Sequence, residues 1–172
     1  MGLMNVFGKI KTLSNSGNII GSIAGLTNMG GTIGTLTNAV GGVIGGVLSV
    51  AISNSADGII GTLSNSGSIG GGGITGILNT GTILTLTNHD TGTITGAHTG
   101  IVNGSSTISG WIGTLTNLGV VSGGTLGTPA IDNSYGTIGT LINAQGGNGT
   151  IGTGTLGASP TPAICPAPIL NM

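Results

Sequence analysis

The stretch Ile33-Gly34-Thr35-Leu36-Thr37-Asn38 is the unit that decides the fold of this chain. An isoleucine, two further residues, a leucine, one more residue and an asparagine follow one another in that order. Close copies occupy 60–65, 112–117 and 138–143, and looser copies occupy 10–15, 23–28, 74–79 and 83–88. Self-similarity of this kind is typical of repeat architectures, in which each unit packs on its neighbours.

The unit favours a short, bent β-strand. Threonine and isoleucine are β-branched and suit strands, whereas each glycine costs a helix about 1 kcal/mol. Ile33 and Leu36 are three positions apart, so strict alternation would place them on opposite faces, and a bend at Gly34 is needed to turn both inward. Asparagine suits corners, because it tolerates left-handed backbone and hydrogen-bonds locally. The corner positions are Asn38, Asn65, Asn88, Asn117 and Asn143.

These features predict an all-β fold, a β-solenoid in which short strands stack on copies of themselves. The asparagines that close the units are 9 to 16 residues apart, so two units make a coil of about 25 residues. We expect roughly six irregular rungs over residues 10–157, with amide ladders where asparagines stack. Residues 1–9 form a lead-in. Residues 158–172 form an extended, flexible tail, because four prolines interrupt any ladder there.

Composition excludes several classes of protein. Glycine fills 39 of 172 positions, and mean hydropathy is +0.51, which disfavours a disordered chain. The only charged residues are Lys9, Lys11, Asp57, Asp90 and Asp132, and there is no arginine or glutamate. A helical bundle needs strong helix formers that are scarce here. Two lysines cannot provide the basic surface that nucleic acid requires, so we expect no nucleic-acid partner.

Four segments carry a resemblance to a known family. GTIGTLTN (31–38), SNSGSIGG (64–71), NTGTI (79–83) and TGTITG (91–96) resemble the passenger repeats of bacterial autotransporter adhesins. The resemblance covers about residues 10–157. It implies a right-handed parallel β-helix that is secreted through the outer membrane and displayed on the cell surface. No signal peptide and no C-terminal membrane barrel is recognisable, so we expect a passenger fragment, a decayed copy or a mispredicted reading frame.

The expected function is therefore that of a non-catalytic structural or adhesive surface protein. Its expected partners are surface glycans or like molecules on other cells, and open coil ends favour self-association. We expect no cofactor, metal ion or small-molecule substrate. His89, Asp90 and His98 are the candidates for chemistry, but no Gly-x-Ser-x-Gly motif accompanies them and their spacing matches no metal site. Trp111 and Tyr135 are expected at a coil end or corner rather than stacked on sugars.

An alternative function is ice binding by a flat threonine array. Four Thr-x-Thr pairs have an apolar residue between two threonines that would point outward. Their starting positions are 50, 8 and 21 residues apart, which is irregular for a lattice. The candidate array comprises Thr35, Thr37, Thr85, Thr87, Thr93, Thr95, Thr114 and Thr116.

A second alternative is a small glycine-zipper membrane protein. Residues 39–53 are apolar and contain two small-xxx-small pairs, Gly41 with Gly45 and Gly42 with Gly46. The stretch is shorter than the roughly 20 residues that a spanning helix needs. A glycine-rich part of a repeat is the interpretation that its neighbours favour.

Overall fold

The computed structural model describes residues 1–55, 57–70, 72–124, 128–143 and 150–151, which form eighteen β-strands and no helix. The strands form three sheets of six. Sheet 1 contains β1 (Leu3–Val6), β4 (Ala24–Met29), β7 (Val50–Ser55), β10 (Thr75–Asn79), β13 (Thr99–Asn103) and β16 (Ile131–Asp132). Sheet 2 contains β2 (Lys9–Asn15), β5 (Thr32–Asn38), β8 (Ile59–Asn65), β11 (Thr82–Asn88), β14 (Trp111–Asn117) and β17 (Thr137–Asn143). Sheet 3 contains β3 (Asn18–Gly21), β6 (Val43–Gly46), β9 (Ser68–Gly70), β12 (Thr93–Gly96), β15 (Val120–Gly123) and β18 (Thr150–Ile151).

The chain is a parallel β-solenoid of about five turns. Neighbouring strands within each sheet are parallel and lie three strands apart along the chain, as in β5 and β8. The chain therefore visits the three sheets in rotation and returns one rung further along. Equivalent asparagines on successive sheet 2 strands are 23, 27, 23, 29 and 26 residues apart. The all-β solenoid that the repeats predict is confirmed.

The core of sheet 2 consists of two apolar columns. Ile33 and Leu36 have no exposed surface, and their partners on the next strand, Ile60 and Leu63, are equally buried. Gly34 lies between the two inward residues and is exposed, so strict alternation is broken there and both apolar residues point inward, as predicted. Burial of each such side chain stabilises the fold by about 1.5–3 kcal/mol.

Sheets 1 and 3 each add one apolar column to this core. Sheet 3 contributes Ile44, Ile69, Ile94 and Val121. Sheet 1 contributes Leu26, Ile52, Ile77, Ile101 and Ile131. The looser copies at 23–28 and 74–79 fall in sheet 1, where Ile23 and Ile74 are more than half exposed. In these two copies only the later apolar residue points inward, so the full repeat unit belongs to sheet 2.

The structure also changes the expected boundaries. β1 pairs with β4 in the same parallel register as the later strands, so the solenoid begins within the expected lead-in of residues 1–9. Residues 39–53 contain β6 and most of β7 rather than the helix that a glycine zipper needs. Across the described ranges, no helix has the length and apolar character of a membrane span. The expected tail, 158–172, and residues 152–157 lie outside the described residues.

Candidate functional site: a hydroxyl face on sheet 2

The outward side of sheet 2 carries a regular array of hydroxyl groups, here called the hydroxyl face. One column is threonine on all six strands, and the column two residues further along is serine or threonine on the first five strands. The first column comprises Thr12, Thr35, Thr62, Thr85, Thr114 and Thr140. The second comprises Ser14, Thr37, Ser64, Thr87 and Thr116, and Ile142 occupies its last position.

The dimensions of the hydroxyl face follow from sheet geometry. Neighbouring strands are about 4.8 Å apart, and two residues along a strand span about 6.6 Å. Six strands therefore extend the face about 24 Å along the solenoid. Because all the pairings are in register, the hydroxyl groups repeat in two dimensions. The leucine between the two columns points into the core, as Leu36 does between Thr35 and Thr37.

The hydroxyl groups of this face are available to a ligand. All eleven residues are exposed or half-buried. Among the described residues, Ser64 is the one member of the face whose hydroxyl forms a hydrogen bond with another side chain, with Oγ 2.9 Å from His89 Nε2. Serine and threonine hydroxyls both donate and accept hydrogen bonds. The face can therefore bind either kind of polar group on a neighbouring surface.

The rim of the face is rougher and carries the nearest charges. Lys9 and Lys11 lie on β2, at the first strand of sheet 2. Leu84 and Trp111 are 48% and 42% exposed on the neighbouring strands β11 and β14. The three aspartates lie outside sheet 2. The two hydroxyl columns themselves are therefore uncharged.

The structure brings together six of the eight threonines in the predicted array. Thr35, Thr37, Thr85, Thr87, Thr114 and Thr116 all belong to the hydroxyl face. Thr93 and Thr95 lie instead on β12 in sheet 3, beyond a corner of the solenoid. Their neighbours in sheet 3 include Ser68, Val120 and Ser122, so the Thr-x-Thr pair is not repeated there.

The predicted corner asparagines form a ladder of side-chain amides that is buried except at Asn143, its exposed last member. Each Nδ2 donates to Oδ1 of the asparagine on the next turn, at 2.8–3.0 Å. The ladder comprises Asn15, Asn38, Asn65, Asn88, Asn117 and Asn143. The same amides also donate to backbone carbonyls, as Asn38 does to Gly42 at 3.1 Å. None of these asparagines has a positive φ, so they hold the corner by side-chain hydrogen bonds rather than by left-handed backbone.

A second amide ladder follows sheet 1. Its hydrogen bonds are all 2.8 Å, and its members are Asn5, Asn28, Asn54, Asn79, Asn103 and Asn133. Asn5 lies before the first repeat unit, where the sequence pattern gave no signal. Two ladders hold two of the three corners, because every turn passes an asparagine at the end of its sheet 1 strand and another at the end of its sheet 2 strand. The asparagines of this second ladder have a structural role, because their side chains are buried.

The structure locates each of the candidates for chemistry. His89 reaches Ser64 on the previous turn, but among the described residues no hydrogen bond joins Asp90 to His89. His98 lies at the corner between sheets 3 and 1. In the part of the chain that the structure describes, no three histidine, cysteine, aspartate or glutamate residues group around a common point where a metal ion would fit. Trp111 begins a sheet 2 strand after a corner, and Tyr135 lies in an exposed turn.

A shallow groove runs along the corner between sheets 2 and 3. It is lined by Val40, Val43, Ser66, Ser68 and Thr91, among others, and contains no charged side chain. Its surface is mostly apolar, so it offers contact area rather than chemistry.

Comparison with known proteins identifies no relative: no family model matches the chain, and neither a curated protein nor a solved structure matches it.

Proposed function

We propose that this chain is a non-catalytic structural and adhesive module that contacts its target through the hydroxyl face. The observation that carries the proposal is the in-register arrangement of eleven serine and threonine side chains on one side of a stacked solenoid. Each rung is hydrogen-bonded to the next in all three sheets, so the face is held by backbone ladders rather than by mobile loops. Rigid presentation lowers the entropy cost of binding.

The chemistry of the face suits targets rich in hydroxyl groups, such as surface glycans or like molecules on another cell. Each threonine offers one donor, two acceptor lone pairs and a methyl group. Single contacts of this kind are weak, but eleven on one rigid surface act together, and many copies on a cell add avidity. Trp111 at the rim supplies an amphipathic aromatic surface beside the hydroxyl columns. Although the sequence favours a packing role for Trp111, its exposed ring supports a glycan target.

We place the module outside the cell, on a bacterial surface. This location follows from the resemblance of its repeats to autotransporter passenger repeats. An uncharged, hydroxyl-bearing surface fits an extracellular contact that must tolerate changes in salt, because hydrogen bonds between neutral groups are not screened as ion pairs are.

The test is adhesion by cells that display the chain. A non-adherent bacterial strain displaying all 172 residues is compared with the same strain displaying two variants. Thr85→Val with Thr87→Val removes two hydroxyls from the middle of the hydroxyl face and keeps shape and β-branching. Thr93→Val with Thr95→Val makes the same change on sheet 3, at threonines that are also half-buried.

We expect the parent and the sheet 3 variant to adhere equally to a mucin-type glycan surface and the hydroxyl-face variant to adhere less. Equal adhesion by all three would mean that the hydroxyl face is not the adhesive surface. If the displayed parent neither adheres to glycan nor aggregates cells, the adhesive function is wrong.

Ice binding is the second candidate function. The observation that favours it is the two-dimensional repeat of about 4.8 Å by about 6.6 Å, because a lattice of hydroxyl and methyl groups can order water as ice does. The irregular spacing of the pairs along the chain does not disturb this lattice, because turns of different length stack in register. We rank it second because Leu84 and Trp111 stand on the same sheet, and a crystal plane requires a flatter surface than a glycan does.

Freezing measurements separate the two candidates. If ice is the target, the purified chain produces thermal hysteresis, and the hydroxyl-face variant produces less while the sheet 3 variant does not change. Freezing and melting points that coincide at millimolar protein would eliminate ice binding and leave the adhesive proposal untouched.

A further inference from the structure

The N-terminal end of the solenoid exposes a cross-section of the core. β1, β2 and β3 are each the first strand of their sheet, and no described strand covers their outer edges. Ile10 and Leu13 on β2 are half-buried, whereas their partners Ile33 and Leu36 on β5 are completely buried. Leu3 and Ile19 are likewise only partly covered. A further rung at this end would bury apolar surface that is now in water.

The last described strand of sheet 2 presents the same repeat unit at the opposite end. β17 contains Ile138 and Leu141 at the positions of Ile10 and Leu13, and both are again only half-buried. β17 pairs with β14 in the same register in which β5 pairs with β2. The two ends are therefore complementary, because each carries the apolar pattern that would cover the half-buried residues of the other.

We infer that copies of this chain stack head to tail, with β17 of one copy pairing in parallel with β2 of the next. Ile138 would face Ile10 and Leu141 would face Leu13, which continues both apolar columns of sheet 2 across the junction. A second copy is the occupant because its β17 matches the register of sheet 2. Its β16 and β18, the last strands of sheets 1 and 3, would pair with β1 and β3. Unpaired parallel edges template further strands.

The backbone of sheet 2 specifies one hydrogen bond of the junction. The first residue of each later strand donates its N–H to the carbonyl of a glycine one turn back, at 2.8–2.9 Å. The pairs are Thr32 with Gly8, Ile59 with Gly31, Thr82 with Gly58, Trp111 with Gly81 and Thr137 with Gly110. In the same register, the N–H of Lys9 points out of the N-terminal end, and its acceptor is the carbonyl of Gly136 in the partner copy.

The charges at the junction permit this stacking. Lysines on an edge strand often prevent pairing, above all where they point inward. Lys9 and Lys11 are exposed on the outer side of sheet 2, and in the stacked register they face Thr137 and Gly139. Neither lysine is buried and neither meets a second cation. The contact is heterologous and does not close on itself, so it generates open filaments rather than dimers.

Sedimentation velocity of the purified chain over a range of concentrations tests the inference, with negative-stain microscopy of the largest species. Lys9→Pro removes the outward N–H, and proline is tolerated at the first residue of an edge strand. Lys9→Thr is the matched control, because it loses the same charge but keeps the N–H, and threonine occupies this column at Thr32, Thr82 and Thr137. Circular dichroism melts check that both variants fold.

We expect the parent and Lys9→Thr to form concentration-dependent linear species. For Lys9→Pro we expect the dissociation constant to rise about tenfold or more, since an edge hydrogen bond is lost and the ring obstructs the junction. A parent that stays monomeric at millimolar concentration would overturn the inference. So would a folded Lys9→Pro variant that assembles as the parent does.

A mixing experiment tests the polarity of the contact. Ile138→Glu places a carboxylate at the C-terminal end and blocks it, while Lys9→Pro blocks the N-terminal end. At concentrations above the parent's dissociation constant and well below that of Lys9→Pro, each blocked variant alone should be monomeric, and an equimolar mixture should form one-to-one dimers and nothing longer. Linear growth in the mixture, or dimers of one variant alone, would mean that the ends do not pair head to tail. The hydroxyl face lies on the side of the solenoid, so this result is independent of adhesion.

Discussion

The side-chain amide of Asn38 donates a hydrogen bond to Oδ1 of Asn65 across 2.9 Å, although the two residues are 27 positions apart in the chain. Both side chains are completely buried. From Asn38 to Asn117, each amide accepts at its oxygen from the turn before and donates from its nitrogen to the turn after, so both groups have partners in the interior. No side chain with only donors or only acceptors could replace it in every rung.

Removing one amide from the middle of the ladder should destabilise the solenoid. In Asn65→Ala, Asn38 loses an acceptor and Asn88 loses a donor, and the carbonyls of Gly67 and Thr93 lose their side-chain partner. Buried polar groups without partners cost about 1–3 kcal/mol each, so we expect a loss of about 3 kcal/mol in the free energy of unfolding. Urea titration measures it.

The matched control for this variant is Asn18→Ala. Asn18 is exposed at the start of β3 and lies outside both ladders. Surface substitutions of this kind change stability by less than about 0.5 kcal/mol. Equal losses in the two variants would mean that the ladder contributes nothing specific.

Changing the same amide to a carboxylic acid should make stability depend on pH. In Asn65→Asp, the new carboxyl group is buried against the oxygens of Gly67, Thr93 and Asn88. Burial and these oxygens disfavour its charged form, so its pKa rises in the folded state above the unfolded value. The folded chain then holds a proton that the unfolded chain releases.

The sign of the pH effect follows from that difference. Below the unfolded pKa both states are protonated and the electrostatic penalty is absent. As pH rises above it, the unfolded state ionises first, and the variant loses about 1.4 kcal/mol per pH unit until the folded pKa is reached. Urea titrations from pH 3 to pH 7 should show this slope relative to the parent. Asn18→Asp should show no such slope, and a flat profile for Asn65→Asp would contradict the buried ladder.

The two ladders also show how far the sequence predicts this structure. The recurring asparagine and the Ile-x-x-Leu spacing predict the solenoid, the two inward residues on either side of Gly34 and the amide ladders, but not the burial of the amides. They do not distinguish Thr93 from Thr85, because both begin a Thr-x-Thr pair with an inward apolar residue. The corner between β11 and β12 separates them, and there Asn88 donates to the carbonyl of Gly92 and to Asn117 on the next turn. Register is a property of stacked turns, and turns that vary from 23 to 30 residues conceal it in the linear sequence.

Three glycines at the corner between sheets 2 and 3 should respond differently to substitution by alanine. Gly17 has open space around its missing Cβ and no positive φ, so Gly17→Ala should stabilise the fold by about 0.5 kcal/mol through the unfolded state. Gly41 also has open space but a φ of +79°, so Gly41→Ala should cost about 1 kcal/mol of backbone strain.

Gly42 differs from both because there is no room for a Cβ atom beside it. A Cβ there would lie 2.6 Å from the carbonyl oxygen of Asn15 and 2.6 Å from Oδ1 of Asn38. Gly42→Ala must push two turns apart at the ladder, which we expect to cost about 2–3 kcal/mol. The urea midpoint should be highest for Gly17→Ala, lower for Gly41→Ala and lowest for Gly42→Ala. The reverse order of the last two would mean that backbone conformation, rather than stacking distance, limits this corner.

The Ser64–His89 pair should be chemically inert. Oγ of Ser64 is 2.9 Å from Nε2 of His89, the arrangement that activates a serine nucleophile when a carboxylate orients the histidine. Within the described residues no hydrogen bond joins Asp90 to His89, and Ser64 lies within a strand that pairs with β5 and β11. Neither an orienting group nor an oxyanion site is therefore at hand. A fluorophosphonate probe followed by intact-mass spectrometry should label the parent no more than Ser64→Ala, and selective labelling of Ser64 would show that this non-catalytic assignment is wrong.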